Sequence, residues 1–362
     1  MPSAVRYATL DVARALAVTG VVFHHVLDGL VNAELLGANN VLLSLNAALS
    51  MMRMPALAFL LGLFLPGGVS KYGLGGYLRH RGVNVLWTYL VWFVILTALD
   101  FVTSGVKNTP RHLETLLLPW WMPGHLWFLP FAGVSAVIVG VLAPWRGPLR
   151  AAWTMLLLVV VSLALWGWSS ELFGMTGLAL LAFSAAGALV GRDRLGASLT
   201  GSPVGWMISG AVGAGAFVAL LRLEPFPGAG RYLGEVPLTF GQRVLGLGTS
   251  VVGVVVLLGL AVVLTAAARL RGWLSYCGRR TLQIYLPHTV ATGGTRILLL
   301  RLGVESVFVH LVLGLVAGIF APLLLDRVAG RYGLGWLFAP PARLLGASKP
   351  TTVEAIAGPG EP

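Results

Sequence analysis

The chain has 362 residues, of which 57% are hydrophobic and 10% charged, and its mean hydropathy is +0.85. A water-soluble domain carries about 25% charged residues, so this composition excludes an ordinary soluble enzyme and implies a surface that faces lipid. The formal charge of +12 does not point to nucleic acid either. The basic residues stand in short groups between apolar runs, which is the pattern of membrane loops.

A membrane-crossing helix needs roughly 20 mostly apolar residues. Ten stretches qualify, near 8–30, 41–66, 83–103, 125–143, 151–169, 174–191, 206–222, 243–268, 281–300 and 307–328. They are continuous rather than alternating, which argues for helices over a membrane barrel. The expected fold is an all-α integral membrane protein with about ten transmembrane helices. With a cytoplasmic N-terminus, sixteen of the 25 Lys and Arg residues fall on the inner side and six on the outer. The remaining three, Arg14, Arg53 and Arg296, lie inside spans. That bias puts both termini in the cytoplasm. Residues 1–330 read as one transmembrane domain and 331–362 as a flexible cytoplasmic tail. The first apolar run holds Asp11 and Arg14, which a cleavable signal would not tolerate. Without an internal repeat, a transporter built from duplicated halves is disfavoured. The single cysteine, Cys277, excludes an intrachain disulfide and reads as a small apolar filler rather than an acyl carrier.

Ionisable groups within spans are costly and therefore informative. The first helix carries five of them: Asp11, Arg14, His24, His25 and Asp28. Arg14 and His25 are eleven residues apart, which at about 100° per residue brings them to one face with a rise of about 16 Å. Asp11 and Asp28 lie three residues beyond each end of that pair, near the same face. Such groups can simply pair with neighbouring helices. A stripe of this length also suits a reaction that takes one substrate from each side of the membrane. In the second helix Arg53 precedes Pro55, so a bend is expected there. Arg53 either binds a carboxylate such as Asp11 or faces a thioester oxygen or phosphate. Lys71, Arg79, His80 and Arg81 form an inner basic cluster, which on charge alone reads as retention or anionic-lipid contact. His125 stands where the fourth helix begins. Arg279, Arg280, His288 and Arg296 lie in or beside the ninth. No metal site is expected, since His24 and His25 diverge on a helix and no third ligand is spaced near them.

These residues resemble the membrane acyltransferase 3 family. The opening RYATLDVARALAVTGVVFHH is similar to that family's first-helix signature, an Arg, ten residues and a His, with Arg14, His25 and the preceding Asp11 in matching places. RMPALAFLLGLF resembles its second helix through Pro55, Phe59 and Gly62, while HLWFL and GRRTLQIYLPH resemble two later blocks. Leu61 stands where the family often has Ser, and Arg81 is followed at the expected spacing by Asn84 rather than a second Arg.

The resemblance implies transfer of an acyl group, commonly acetyl, from cytoplasmic acyl-CoA to a hydroxyl of a glycan, glycolipid or secondary metabolite. His25 is then the general base, near its ordinary pKa of about 6.5. Arg14, Asp11 and Arg53 complete the catalytic set. Asp28, His125, His288 and Arg296 are the substrate-binding candidates, and Arg79 and Arg81 the candidates for acyl-CoA contact. Direct transfer and a covalent acyl-enzyme both remain open. The expected partners are membrane lipids and the hydroxyl acceptor, and the expected location is a bacterial plasma membrane. The sequence does not specify an oligomeric state. The rival readings are a multi-pass transporter or flippase without covalent chemistry and a lipid-binding regulatory protein.

Overall fold

A computed structural model describes residues 7–37, 40–103, 119–120, 124–168, 170, 172–223, 228–229 and 237–345. Among them the chain is helical throughout. The elements are α1 (Ala8–Asn32), α2 (Val41–Gly62), α3 (Leu65–Val102), α4 (Phe128–Leu142), α5 (Pro148–Ala164), α6 (Leu181–Val190) and α7 (Arg192–Gly201). They continue as α8 (Pro203–Leu223), α9 (Phe240–Ala266), α10 (Ala268–Arg279), α11 (Thr281–Tyr285), α12 (His288–Arg301), α13 (Val307–Arg331) and α14 (Ala342–Leu345). A 3-10 turn, Gly124–Trp127, leads directly into α4.

Among the described residues, seven helical segments are long and apolar enough to cross a membrane. They are α1, α2, α3, the run through α4 from Gly124 to Arg146, α8, α9 and α13. The other three expected spans differ in instructive ways. The fifth and sixth are shorter apolar helices, Pro148–Ala164 and Leu178–Val190. The ninth, expected as one helix over 281–300, is broken into α11 and α12 at Leu286–Pro287, because proline has no N–H and cannot continue the ladder. The third helix starts far earlier than its apolar pattern at 83–103. It begins at Leu65 and is interrupted at Gly73, whose φ of 68° breaks the helical path. The Lys71–Arg81 cluster is therefore helical rather than a loop.

The central helix, α1, carries five ionisable side chains. About 61% of the spanning window of α1 is buried inside the protein, against 11% for α8. Helices α2, α9, α10, α12 and α13 all pack on α1. Small residues allow the close approaches, as is usual where lipid gives no hydrophobic drive for association. A Cβ on Gly62 or Gly187 would run into the backbone of the facing helix, so α2 and α6 meet at nearly backbone contact. Gly278 of α10 lies against the Asp11 carbonyl of α1 in the same way.

The segment after α13 is partly docked. Trp87 Nε1 donates to the Trp336 carbonyl at 2.8 Å and Trp92 Nε1 to the Leu337 carbonyl at 2.7 Å. Phe338 is buried against Trp92. Residues 346–362, the rest of the expected tail, lie outside the described residues, as do 224–227 and 230–236 of the Gly- and Pro-rich connector before α9.

Candidate active site

Three histidines from distant parts of the chain converge. His25 of α1 lies with its ring centroid 5.0 Å from that of His288 and 5.8 Å from that of His125. His125 and His288 are 5.1 Å apart, and His24 sits 4.8 Å from His25. His125 enters through the 3-10 turn before α4, and His288 opens α12 directly after Pro287.

The Pro287 break explains how two of these rings are held. Val290 and Ala291 both donate to the Pro287 carbonyl, leaving the carbonyls of Tyr285 and Leu286 to side chains. His288 Nδ1 donates to the Tyr285 carbonyl at 2.6 Å, and His125 Nε2 donates to the Leu286 carbonyl at 3.0 Å. Carbonyls only accept, so each bond fixes a tautomer. His125 Nδ1 then faces the Thr289 hydroxyl at 3.3 Å. The Tyr285 hydroxyl closes the arrangement by donating to the His125 carbonyl and accepting from Phe128 N at 3.3 Å.

A second network joins α1 to α2. Arg53 Nη1 donates to Asn46 Oδ1 at 2.8 Å and to the Asn46 carbonyl at 3.3 Å. With its amide oxygen so occupied, Asn46 donates through Nδ2 to His24 Nδ1 at 3.1 Å. Arg53 is buried and the bridge from it to His24 runs through an amide. The carboxylate partner considered for Arg53, Asp11, is elsewhere. Asp11 lies 3.7 Å from Arg14, and the Arg14 guanidinium sits 4.2 Å from the centroid of the Phe64 ring.

Two polar cavities meet at His25. One, of about 430 Å³, is lined by His24, His25, Arg53, Ser50, His125 and Tyr285 among others. Among the described residues its only charged lining group is Arg53. The other, of about 370 Å³, is lined by His25, His125, Asp28, Asp100, Thr289 and Arg296. A side pocket of about 190 Å³ continues from it past Asn32 and His310. Gly29 makes room here, since a Cβ at that position would collide with the Arg296 guanidinium lying across α1. Asp28 is met by Asn32 Nδ2 at 3.4 Å and feels the charge of Arg296.

Nearly the whole chain matches one known family: the model described as "Acyltransferase domain" covers residues 7–327. The chain belongs to the acyltransferase 3 family. No curated protein and no solved structure matches this acyltransferase. It is a multi-pass membrane protein by the length and composition of its helices.

Of the residues expected to act, the fold brings His25, Arg53, Asp28, His125 and Arg296 to the two cavities and sets His288 behind His25. It does not bring Arg14 and Asp11 there. They sit three to four turns down α1, roughly 16–21 Å along the helix axis from His25. Arg79 is exposed, while Arg81, two residues on and so on another face, is half-buried beside Tyr77. Cys277 is buried at the foot of α1, where burial pushes its thiol up to about 11, consistent with a filler. Among the described residues no group of three or more His, Cys, Asp or Glu is arranged to hold a metal ion.

Four contributors were not singled out from the sequence: Asn46, Asp100, His310 and Tyr285. Asn46 and His310 are polar residues within largely apolar helices, which gives each a faint signal. His310 is buried and donates through Nε2 to the Val304 carbonyl at 2.8 Å. Asp100 closes an otherwise apolar helix end, and only the packing of α3 turns it towards the cavity.

Proposed function

We propose that this acyltransferase moves an acyl group, acetyl in the simplest case, from cytoplasmic acyl-CoA to a hydroxyl of a glycan, glycolipid or secondary metabolite, with His25 as general base. The observation that carries the reading is that His25, together with His125, forms the shared wall of two cavities of unlike chemistry. The cavity with Arg53, lined by no carboxylate among the described residues, suits a thioester carbonyl, whose oxygen gains negative charge during attack. The cavity with Asp28, Asp100, Thr289 and Arg296 suits a polyhydroxylated acceptor, because carboxylates and hydroxyls accept and donate hydrogen bonds to alcohol groups.

The reaction balances with the residues at hand. A bare nitrogen of His25 takes the acceptor's hydroxyl proton as its oxygen bonds to the acyl carbon. Arg53 offsets the charge that develops on the carbonyl oxygen. The carbon–sulfur bond breaks, the thiolate of CoA leaves, and the imidazolium returns the proton to it, giving an ester and free CoA thiol. Arg14, near the opposite end of α1, serves the donor's approach from the cytoplasm, the side to which the charge bias assigns both termini. Arg81 and its neighbours on the first part of α3 offer the basic surface for the donor's phosphates. The site is placed in a bacterial plasma membrane.

The test is transfer of label. Membranes holding the protein are given radiolabelled acetyl-CoA, then lipid, glycan and small-molecule fractions are separated, with His25→Ala membranes as control. Label in one fraction that the variant loses, at equal expression, supports the reading and names the acceptor class. Undiminished labelling by His25→Ala would reject His25 as the base.

A further inference from the structure

His288 is the most enclosed ionisable group at the site. It is 0% exposed and lines none of the cavities. Its Nδ1 proton is committed to the Tyr285 carbonyl, so Nε2 carries a lone pair. That nitrogen is buried and has no hydrogen-bond partner among the described residues. A buried polar atom left unsatisfied is destabilising, and such an exception asks for a reason. The nearest ring to supply one is His25, 5.0 Å away by centroid and tilted by 52°.

We propose that His288 is the positioning residue of His25: its Nε2 accepts the N–H of His25 and so leaves the other His25 nitrogen bare towards the cavities. This rests on His25 being the general base. In many enzymes a carboxylate holds the base's imidazole. Among the described residues none bonds His25. Asp28, one turn along α1, is met by Asn32 and faces Arg296. Asp100 reaches only the second cavity. The other groups around His25 are His24, His125 and Arg53, which adds no negative charge. His125 cannot play the part through Nε2, which is spent on Leu286.

An imidazole acceptor has a definite consequence. It fixes the tautomer of His25 without burying a charge beside it, which a membrane interior penalises. The gap between the rings closes by rotation of His25 about its side-chain bonds, in the manner of catalytic hydrogen bonds that tighten only when substrate is bound. The proton taken from the acceptor stays on His25 until the thiolate receives it, and His288 remains neutral throughout.

The test compares two substitutions in purified, full-length protein assayed for acetyl transfer. His288→Asn retains an amide nitrogen to donate to Tyr285 but removes the acceptor at Nε2. His288→Gln places an amide oxygen where Nε2 stood. The expected result is a loss in kcat of about 10- to 100-fold for the Asn variant, as for removal of an outer partner of a functional imidazole, with KM unchanged for both substrates. The Gln variant should recover most of that loss, and both should melt at the wild-type temperature. Wild-type kcat in both variants, with His25→Ala inactive, would overturn the proposal and leave the base assignment standing. An equal fall in both, or a change in KM alone, would show a packing role and overturn it as well. Full activity in His25→Ala would remove the base and this proposal together.

Discussion

The two ends of α1 carry the same kinds of residue and are used differently. At the N-terminal end Asp11 and Arg14 lie 3.7 Å apart, and the Asp11 backbone is pressed against Gly278 of α10. At the C-terminal end His24, His25 and Asp28 face open volume, with cavities of about 430 and 370 Å³ on either side. One helix therefore presents a tightly packed polar end and a roomy one. Buried charge in a membrane helix marks function only where space for a ligand accompanies it. Where the groups are paired and close-packed, as around Asp11, they also hold helices together.

The sharpest way to break this comparison is at Gly278. Valine there would place its side chain in the Asp11 backbone, so α1 and α10 must separate. The cost should exceed the roughly 1–3 kcal/mol of ordinary overpacking, and the variant should elute from detergent size-exclusion as aggregate. A monodisperse Gly278→Val protein with wild-type activity would show the packed end to be dispensable. Next in size is Arg14→Gln. If this end serves the donor rather than the bond-making step, KM for acyl-CoA should rise about tenfold while kcat changes little. A fall in kcat with KM unchanged would move Arg14 into the chemistry and erase the distinction between the two ends.

Asn46→Ala removes the bridge between Arg53 and His24 on the roomy end. Activity should fall by roughly five- to tenfold, less than for loss of Arg53 itself, since the guanidinium stays in the cavity and keeps only the longer bond to the residue-46 carbonyl. The smallest effect belongs to Cys277. With its thiol pushed up to about 11, the thiolate is scarce at neutral pH, about one molecule in ten thousand. N-ethylmaleimide at pH 7.4 should label it only after unfolding, and the fraction labelled in intact membranes should rise as pH is raised towards 11. Cys277→Ala should transfer acyl groups at the wild-type rate.

Much of the active region is legible in the chain because a membrane makes polar residues conspicuous. His25, Arg53, Asp28 and Arg296 stand out as charges or imidazoles in apolar runs, and all four line the cavities. Arg14 is equally conspicuous, and its place at the packed end is invisible to helical phase, which fixes direction around the axis but not what lies opposite. What Arg53 meets is left open by the sequence for the same reason. A carboxylate is the natural guess for a buried guanidinium, whereas Asn46 is closer, at seven residues on the same helix. The break at Pro287 is readable as a proline. That it frees two carbonyls for His125 and His288 is not, since His125 lies some 160 residues away in the chain.

The sequence by itself determined the solvent, the helical class and the family-like order of motifs. These follow from composition, from continuous apolar runs and from local spacing, all of which act within one helix or one loop. Tertiary structure alone decided how many helices are long enough to span and that the ninth is two pieces. It also decided which of the polar groups share a cavity. Those outcomes depend on which helix faces which, and in lipid that is set by close packing of small residues and by hydrogen bonds across helices. Neither leaves a periodic trace in the chain.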